Sequence, residues 1–270
     1  ADADDYLPDK DIFCKYINLA EQTDADIVVS NYARLWKDKI LPATKHQSFA
    51  LCSPSSEEFR FQGFFSVGTL SYAWGKLYRR EFLRNHQIYF ADLSYAEDKL
   101  FNMQCYICDA KYAFLEDIGY IYRKNDMSVS WQYRPDSVEN WFKLVYELKS
   151  WIEKKDKDPK EYTSLIGYLL IFAAFFDGKM EYTAKKKSLR AVRRILKTYG
   201  RDTLGRESFQ KLFSDKHFLQ LQQPVWKIMI RGFSMGMKFQ RYFLLAMGIK
   251  ILIDFRVDER LSDTGLREQQ

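Results

Sequence analysis

The chain has no long apolar run. Its longest uninterrupted stretches, such as Tyr168 to Phe176, fall short of the roughly eighteen residues a spanning helix needs, and charges close them off. It has no initiator Met, no secretory signal pattern, no internal repeat and no low-complexity tract. These absences lead to the expectation of a chain that does not cross a membrane. Cysteine is scarce too: the four present (Cys14, Cys52, Cys105 and Cys108) show no framework spacing. Cys105 and Cys108 make a single CxxC, but inside an apolar helical pattern and with no second ligand pair for zinc. Buried, reduced thiols are expected, and with them a cytoplasmic setting.

What is present is ordinary in total and uneven in distribution. The chain has 270 residues, with 47% hydrophobic and 29% charged, enough for one large domain or two small ones with a substantial core. Aromatics reach 17%. That content suits a dense core, a sugar-binding cleft or a membrane-interface surface. The net charge of +6 hides a split: residues 1–130 carry 15 Lys+Arg and 19 Asp+Glu, whereas residues 131–270 carry 27 and 17. An acidic half able to host a cation and a basic half facing polyanions are expected.

The acidic half reads as mixed α/β. Pro8 to Gln22 suits a helix, with Asp5 as its cap and Pro8 in the first turn. Ile27 to Tyr32 is short, β-branched and unbroken, a buried strand. Lys37 to Phe65 gives mixed signals, a strand or two and a variable loop. Ser71 to Arg80 reads as a strand leading into a short helix that ends near Asn85, followed by a short strand at Ile88–Phe90. Ala96 to Ala110 suits a helix with Leu100, Phe101, Met103 and Ile107 inward. Lys111 to Ile118 and Tyr120 to Lys124 suit two further strands. Beyond Trp131 the pattern is helical: Val138 to Lys154, Tyr162 to Phe176, Lys185 to Tyr199, Phe209 to Phe213, and Pro224 to Phe255. Two domains are expected, at 1–130 and 131–270, ending in a loose polar tail.

Two acidic motifs carry chemistry. Asp2-Ala3-Asp4-Asp5 opens the chain, and on a strand end Asp-x-Asp aims two carboxylates at one spot. Such a pair can hold Mg²⁺ or Mn²⁺ against a diphosphate. A calcium loop would need further ligands and a glycine at fixed offsets, where Tyr6 and Leu7 stand. A phosphatase of the Asp-nucleophile type would need Thr or Val at Tyr6. A solvated turn with a helix cap fits the four residues equally. Glu97-Asp98 stands at a helix start, where acids are favoured for electrostatic reasons alone and where a carboxylate can also act as a base.

The motifs fall in a longer order: DADDYL, then Trp74-Gly75-Lys76-Leu77-Tyr78, then Tyr95 to Phe101, then Tyr120-Ile121-Tyr122-Arg123, then Ser128-Val129-Ser130. In this order and spacing, residues 1–130 resemble the bacterial family-2 glycosyltransferases of the GT-A fold. The resemblance implies an α/β fold, a partial GT-A sheet with flanking helices followed by a mainly helical C-terminal region. It implies inverting, metal-dependent transfer of a sugar from a nucleotide-diphosphate donor, a UDP-sugar, to a glycan or lipid-linked acceptor in cell-surface polysaccharide synthesis. Residue by residue, Asp4 matches the direct metal ligand of the DxD pair and Asp2 its partner nearer the ribose. Asp5 matches the common extra acid, Asp98 the catalytic base and Glu97 its neighbour in the ED motif. Trp74 and Lys76 match the segment lining the cleft, and Arg123 and Ser128 the segment whose loop approaches the donor diphosphate. In the family, β-α units that hold the nucleobase precede the DxD strand. This chain therefore corresponds to the second half of a catalytic domain plus a C-terminal extension.

In the basic half, Lys185 to Lys197 places Leu189, Val192, Ile195 and Leu196 on one face with cations around it. Pro224 to Phe255 interleaves aromatics with Lys227, Arg231, Lys238, Arg241 and Lys250. Such helices suit an anionic membrane surface, so a peripheral position on the inner face of the plasma membrane is one expectation. An ordinary bundle with a solvated basic face fits as well. No recognised motif points to nucleic acid. The alternative to an enzyme is a catalytically incomplete fragment acting as a membrane- or partner-binding helical module.

Overall fold

The computed structural model describes residues 3–36, 38–42, 71–123, 133–216 and 224–255. Two compact units divide the chain, residues 1–130 and 131–270.

The first unit is a mixed four-stranded sheet with helices on it. Its centre is β1 (Ile27–Trp36), buried along its first seven residues. One edge of β1 pairs in parallel with β4 (Tyr112–Arg123). The other is shared by two short antiparallel strands, β3 (Lys76–Tyr78) beside Ile27–Val29 and β2 (Lys39–Pro42) beside Ala33–Trp36. Helix α1 (Ile12–Thr23) lays Ile12 and Tyr16 on Ala25, Val28 and Ala113. Helices α2 (Arg80–His86) and α3 (Glu97–Ile107) follow β3. Every residue of α3 from Leu100 to Ile107 is buried, so it is enclosed on all sides, where an amphipathic helix would bury one stripe. Cys105 and Cys108 are buried and form no disulfide.

Several expectations are corrected. Asp5 does not cap α1, which starts later; Asp11 occupies the cap position without a side-chain bond. Tyr6 pairs instead with Ile121 as an isolated antiparallel bridge, which carries Asp5 to the end of β4. Ile88–Phe90 forms no strand. The amide of Ile88 returns to the Leu83 carbonyl at 2.9 Å, ending α2, while Tyr89 and Phe90 stay exposed. The two strands foreseen on either side of Gly119 are one. Its register against β1 slips between Ser30 and Tyr32, and the strand runs on through the irregularity. There the Tyr16 hydroxyl donates to Ser30 Oγ at 2.6 Å, and Asn31 Nδ2 donates to the Glu116 carbonyl at 2.7 Å. A Cβ on residue 119 would lie 2.4 Å from Ser30 Oγ and 2.5 Å from the Tyr16 hydroxyl, so the position admits only glycine without rearrangement.

The second unit is a helical bundle: α4 (Ser137–Lys154), α5 (Thr163–Ala184), α6 (Leu189–Arg201), α7 (Thr203–Ser214), α8 (Pro224–Lys238) and α9 (Tyr242–Asp254). The single helix expected from Pro224 to Phe255 is broken at Gln240, which is left-handed at φ 56°. Helix α5 is central and packs on α4, α6, α7 and α9. Pro159–Ala184 is long and apolar enough, by length and composition, to cross a membrane, contrary to the reading from uninterrupted runs. Yet 61% of its most apolar window is buried inside the chain, as in the core helix of a bundle.

At the heart of the bundle Asp177 is buried and accepts hydrogen bonds from Ser137 Oγ at 2.5 Å and the Tyr199 hydroxyl at 2.6 Å. Burial pushes its carboxyl up to about 6, against the pull of those two donors. The folded pKa thus lies above the unfolded value near 3.8, so the folded state binds the proton more tightly. Its contribution to stability is greatest at acidic pH and is lost as pH rises from about 4 to about 6, by at most about 3 kcal/mol. Urea unfolding across that window should show the native protein losing stability relative to Asp177→Asn. A pH-independent difference would contradict the assignment.

Candidate functional site

The site of the first unit is built around Trp74. Gly75, at φ +68°, turns the chain so that its carbonyl accepts from the Ser30 amide at 3.1 Å. That turn sets Trp74 over the end of the sheet. Tyr120 and Tyr122 share one face of β4, and Trp74 stacks nearly parallel on both, with centroids 4.8 and 5.5 Å apart. It also stacks on Tyr72 at 4.5 Å and meets Tyr32 of β1 edge-on at 4.8 Å. Cations border the cluster: Lys99 Nζ lies 5.6 Å from the Tyr72 ring and Arg34 Cζ 6.0 Å from the Tyr32 ring.

The first acidic motif is strapped to the same strand. Both carboxylate oxygens of Asp5 accept hydrogen bonds, one from the Tyr120 hydroxyl and one from the Arg123 amide, each at 2.7 Å. Arg123 Nε donates to the Asp4 carbonyl at 3.1 Å, while the residue itself stays exposed. Asp5 is therefore a positioning group, and Asp4 offers its carboxylate outward. Asp2 and Ser128 lie outside the described residues.

The second acidic motif opens α3 without a side-chain cap, after Ala96 in the left-handed region at φ 62°. Burial raises the pKa of the Asp98 carboxyl. Lys99 and Lys76 pull against that rise, and the negative charge of neighbouring Glu97 adds to it. Asn102, one turn on, donates to the Asp98 carbonyl at 2.7 Å and accepts from the Tyr78 hydroxyl at 2.9 Å, tying the start of α3 to β3. On β3, Lys76 hydrogen-bonds the Tyr72 carbonyl, and burial lowers its ammonium to about 7, opposed chiefly by Asp98. Burial likewise lowers Lys99. A half-buried carboxyl with raised proton affinity, held among two lysines of lowered affinity, is a proton-exchanging arrangement.

Asp4, Asp5, Trp74, Lys76, Glu97, Asp98 and Arg123 thus belong to one unit, and hydrogen bonds, ring stacking and charge interactions link them in sequence from Asp5 through Tyr120, Trp74 and Tyr72 to Lys76 and Asp98. Sequence reasoning did not single out Tyr32, Arg34, Tyr72 or Lys99 as site residues. The aromatic Tyr72-Ala73-Trp74 alternation, with both rings on one face, was the available signal. Among the described residues no group of three His, Cys, Asp or Glu side chains is placed to hold a metal. Mg²⁺ needs only one or two carboxylates when phosphate oxygens complete its shell, and the outward Asp4 carboxylate fits that demand.

No protein-family model matches the chain. In sequence it is 29% identical over 152 residues to the uncharacterized glycosyltransferase EpsJ of Bacillus subtilis (strain 168), across 55% of this chain and 43% of that one. In structure it is similar to S. aureus TarS 1–349 in complex with UDP-GlcNAc, with TM-score 0.58, 13% identity, and 94% of this chain on 66% of that one. TarS 1–349 in complex with UDP gives TM-score 0.54 and 14% identity, over 94% and 65%. The chain spans less than two thirds of the length of each of these proteins. The fold is a partial GT-A sheet with flanking helices, followed by a helical region. In sequence the chain is similar to a glycosyltransferase.

The Asp5 clasp gives a direct test. Asp5→Ala leaves the Tyr120 hydroxyl and the Arg123 amide without their acceptor. Stability should fall by about 1–3 kcal/mol in urea unfolding, and Tyr120→Phe, which keeps the ring stack, should lose less.

Proposed function

We propose that the chain is the acceptor-side part of a glycosyltransferase that moves a sugar from a nucleotide-diphosphate donor, a UDP-sugar, to a glycan or lipid-linked acceptor in cell-surface polysaccharide synthesis. The observation that carries this is Asp98: a carboxyl of raised pKa, linked through the Trp74 cluster to the segment bearing Asp4. The UDP-GlcNAc and UDP complexes of TarS support a uridine nucleotide as the donor carrier.

In this reading Asp98 takes the proton from the acceptor hydroxyl as its oxygen attacks the anomeric carbon from the face opposite the diphosphate. The bond from that carbon to the diphosphate oxygen breaks, and the configuration inverts. Glu97, by its charge, strengthens Asp98 as a base. Asp4, with Asp2, would hold Mg²⁺ or Mn²⁺, which supplies neutralising charge to the diphosphate when bound. Arg123 and Ser128 would approach the same phosphates. The Trp74 ring already stacks on three tyrosines, so its role is to hold together the aromatic cluster that Lys99 and Arg34 border.

In the complete enzyme Asp98→Asn should lower turnover by about 10²–10⁴-fold with donor affinity unchanged; near-native turnover would remove Asp98 from the role. Calorimetric titration of this chain with UDP and Mn²⁺ should show metal-dependent binding that Asp4→Ala abolishes. Binding that persists in the variant would take the metal away from Asp4.

A further inference from the structure

The last two described helices, α8 and α9, carry an arrangement that the transfer of a sugar does not use. Helix α8 turns Ile230, Ser234 and Met237 into the bundle. On the opposite side, at helical spacing, stand Ile228, Gly232 and Met235, with Phe239 just past the end. Ile228 is 72% exposed and Phe239 54%. Helix α9 repeats the pattern. Tyr242, Ala246 and Ile249 face inward, and Leu244, Gly248, Ile251 and Phe255 form the outward stripe. Leu244 is 65% exposed and Phe255 70%. A helix on the surface of an ordinary bundle presents polar residues at these positions. Here both outward stripes are apolar, and the charges sit on their flanks.

Those flanking charges have one sign. Residues 224–255 hold Lys227, Arg231, Lys238, Arg241 and Lys250 against the single acid Asp254. Asp254 is already paired with Lys187 at 3.0 Å and with Lys250. Helix α6, which packs on α9, adds Arg190, Arg193 and Lys197 without an acid of its own. Apolar stripes with cations at their borders match the layers of an anionic bilayer, in which acyl chains lie beneath phosphate headgroups and long basic side chains reach up to the phosphates. A second copy of the chain fits less well, because a two-fold interface would set this uncompensated positive border against itself.

We propose that the α8–α9 hairpin is a membrane-docking surface: it lies in the interface of an anionic lipid bilayer, with the stripes centred on Met235 and Ile251 in the acyl boundary and Lys227, Lys238 and Arg241 among the headgroups. This surface is independent of the sugar-transfer reading, and its test needs no nucleotide. The full chain is sedimented with vesicles of phosphatidylcholine alone and with vesicles that also contain phosphatidylglycerol, at low and high salt. Binding is expected to the mixed vesicles, at least about tenfold stronger than to the neutral ones and weakened by salt. Leu244→Glu with Ile251→Glu alters only exposed positions, so the fold, followed by circular dichroism, should persist while vesicle binding is lost. Lys238→Gln with Arg241→Gln should weaken binding to the mixed vesicles alone. The proposal is overturned if the folded chain binds neither vesicle, or if the double Glu variant binds as well as the native chain. It is overturned equally if that variant only abolishes a concentration-dependent dimer, which would make a second copy the occupant.

Discussion

The first unit depends on how β1 and β4 lose and recover their register. Ile27 faces Tyr112, eighty-five residues along, whereas Leu35 faces Arg123, eighty-eight along. Three extra residues therefore enter β4, an odd number, and an odd slip exchanges the two faces of a strand. Without it Asp117 would stand opposite Tyr32, where Tyr120 now stands. The slip brings Tyr120 and Tyr122 under Trp74 and sets the Tyr120 hydroxyl at the Asp5 carboxylate. The Tyr16 and Ser30 hydroxyls and the Asn31 amide satisfy polar groups at the irregularity, and Gly119 leaves them room.

From that frame follows an electrostatic division between the two acidic motifs. Asp4 stands exposed at one end of the unit, where its carboxylate can meet a cation, and Asp5 beside it is bound to Tyr120 and Arg123. Asp98 stands half-buried at a helix start, where desolvation favours the protonated acid and the nearby lysines favour the anion. Lys76 is subject to the same opposition with the signs reversed. One unit thus holds an exposed carboxylate at one end of its aromatic cluster and a half-buried carboxyl of raised pKa at the other.

Much of this was legible in the residues. The β-branched run at Ile27 gave β1, and the apolar positions Leu100, Phe101, Met103 and Ile107 gave α3, although burial there takes in Asn102 and Gln104 as well. The partial GT-A architecture came through short motifs and their order. What periodicity misread were places where tertiary contacts overrule local signals. Gly119 looks like a break between strands, but β4 runs on beside β1 through the register slip, where Asn31 Nδ2 donates to the Glu116 carbonyl. Asp5 looks like a helix cap, but Tyr120 and Arg123, distant in sequence, claim its carboxylate. Pro224–Phe255 reads as one helix because nothing at Gln240 forbids helix, although the chain turns there. Arg34 and Lys99 gave no local sign of belonging to a site, because their significance lies in which rings they meet.

The pairing of β1 with β4 also governs the order in which this chain can fold. A parallel neighbour some eighty-five residues away has a loop-closure cost that the short antiparallel β2 does not. On a growing chain β1 is made well before β4, and this pairing waits until the residues up to Arg123 have been made. Helices α5 to α9 each pack on a neighbour next to them in the chain and have no such wait. The β1 edge that awaits β4 is thus the place in the first unit where a nascent chain can capture a wrong partner.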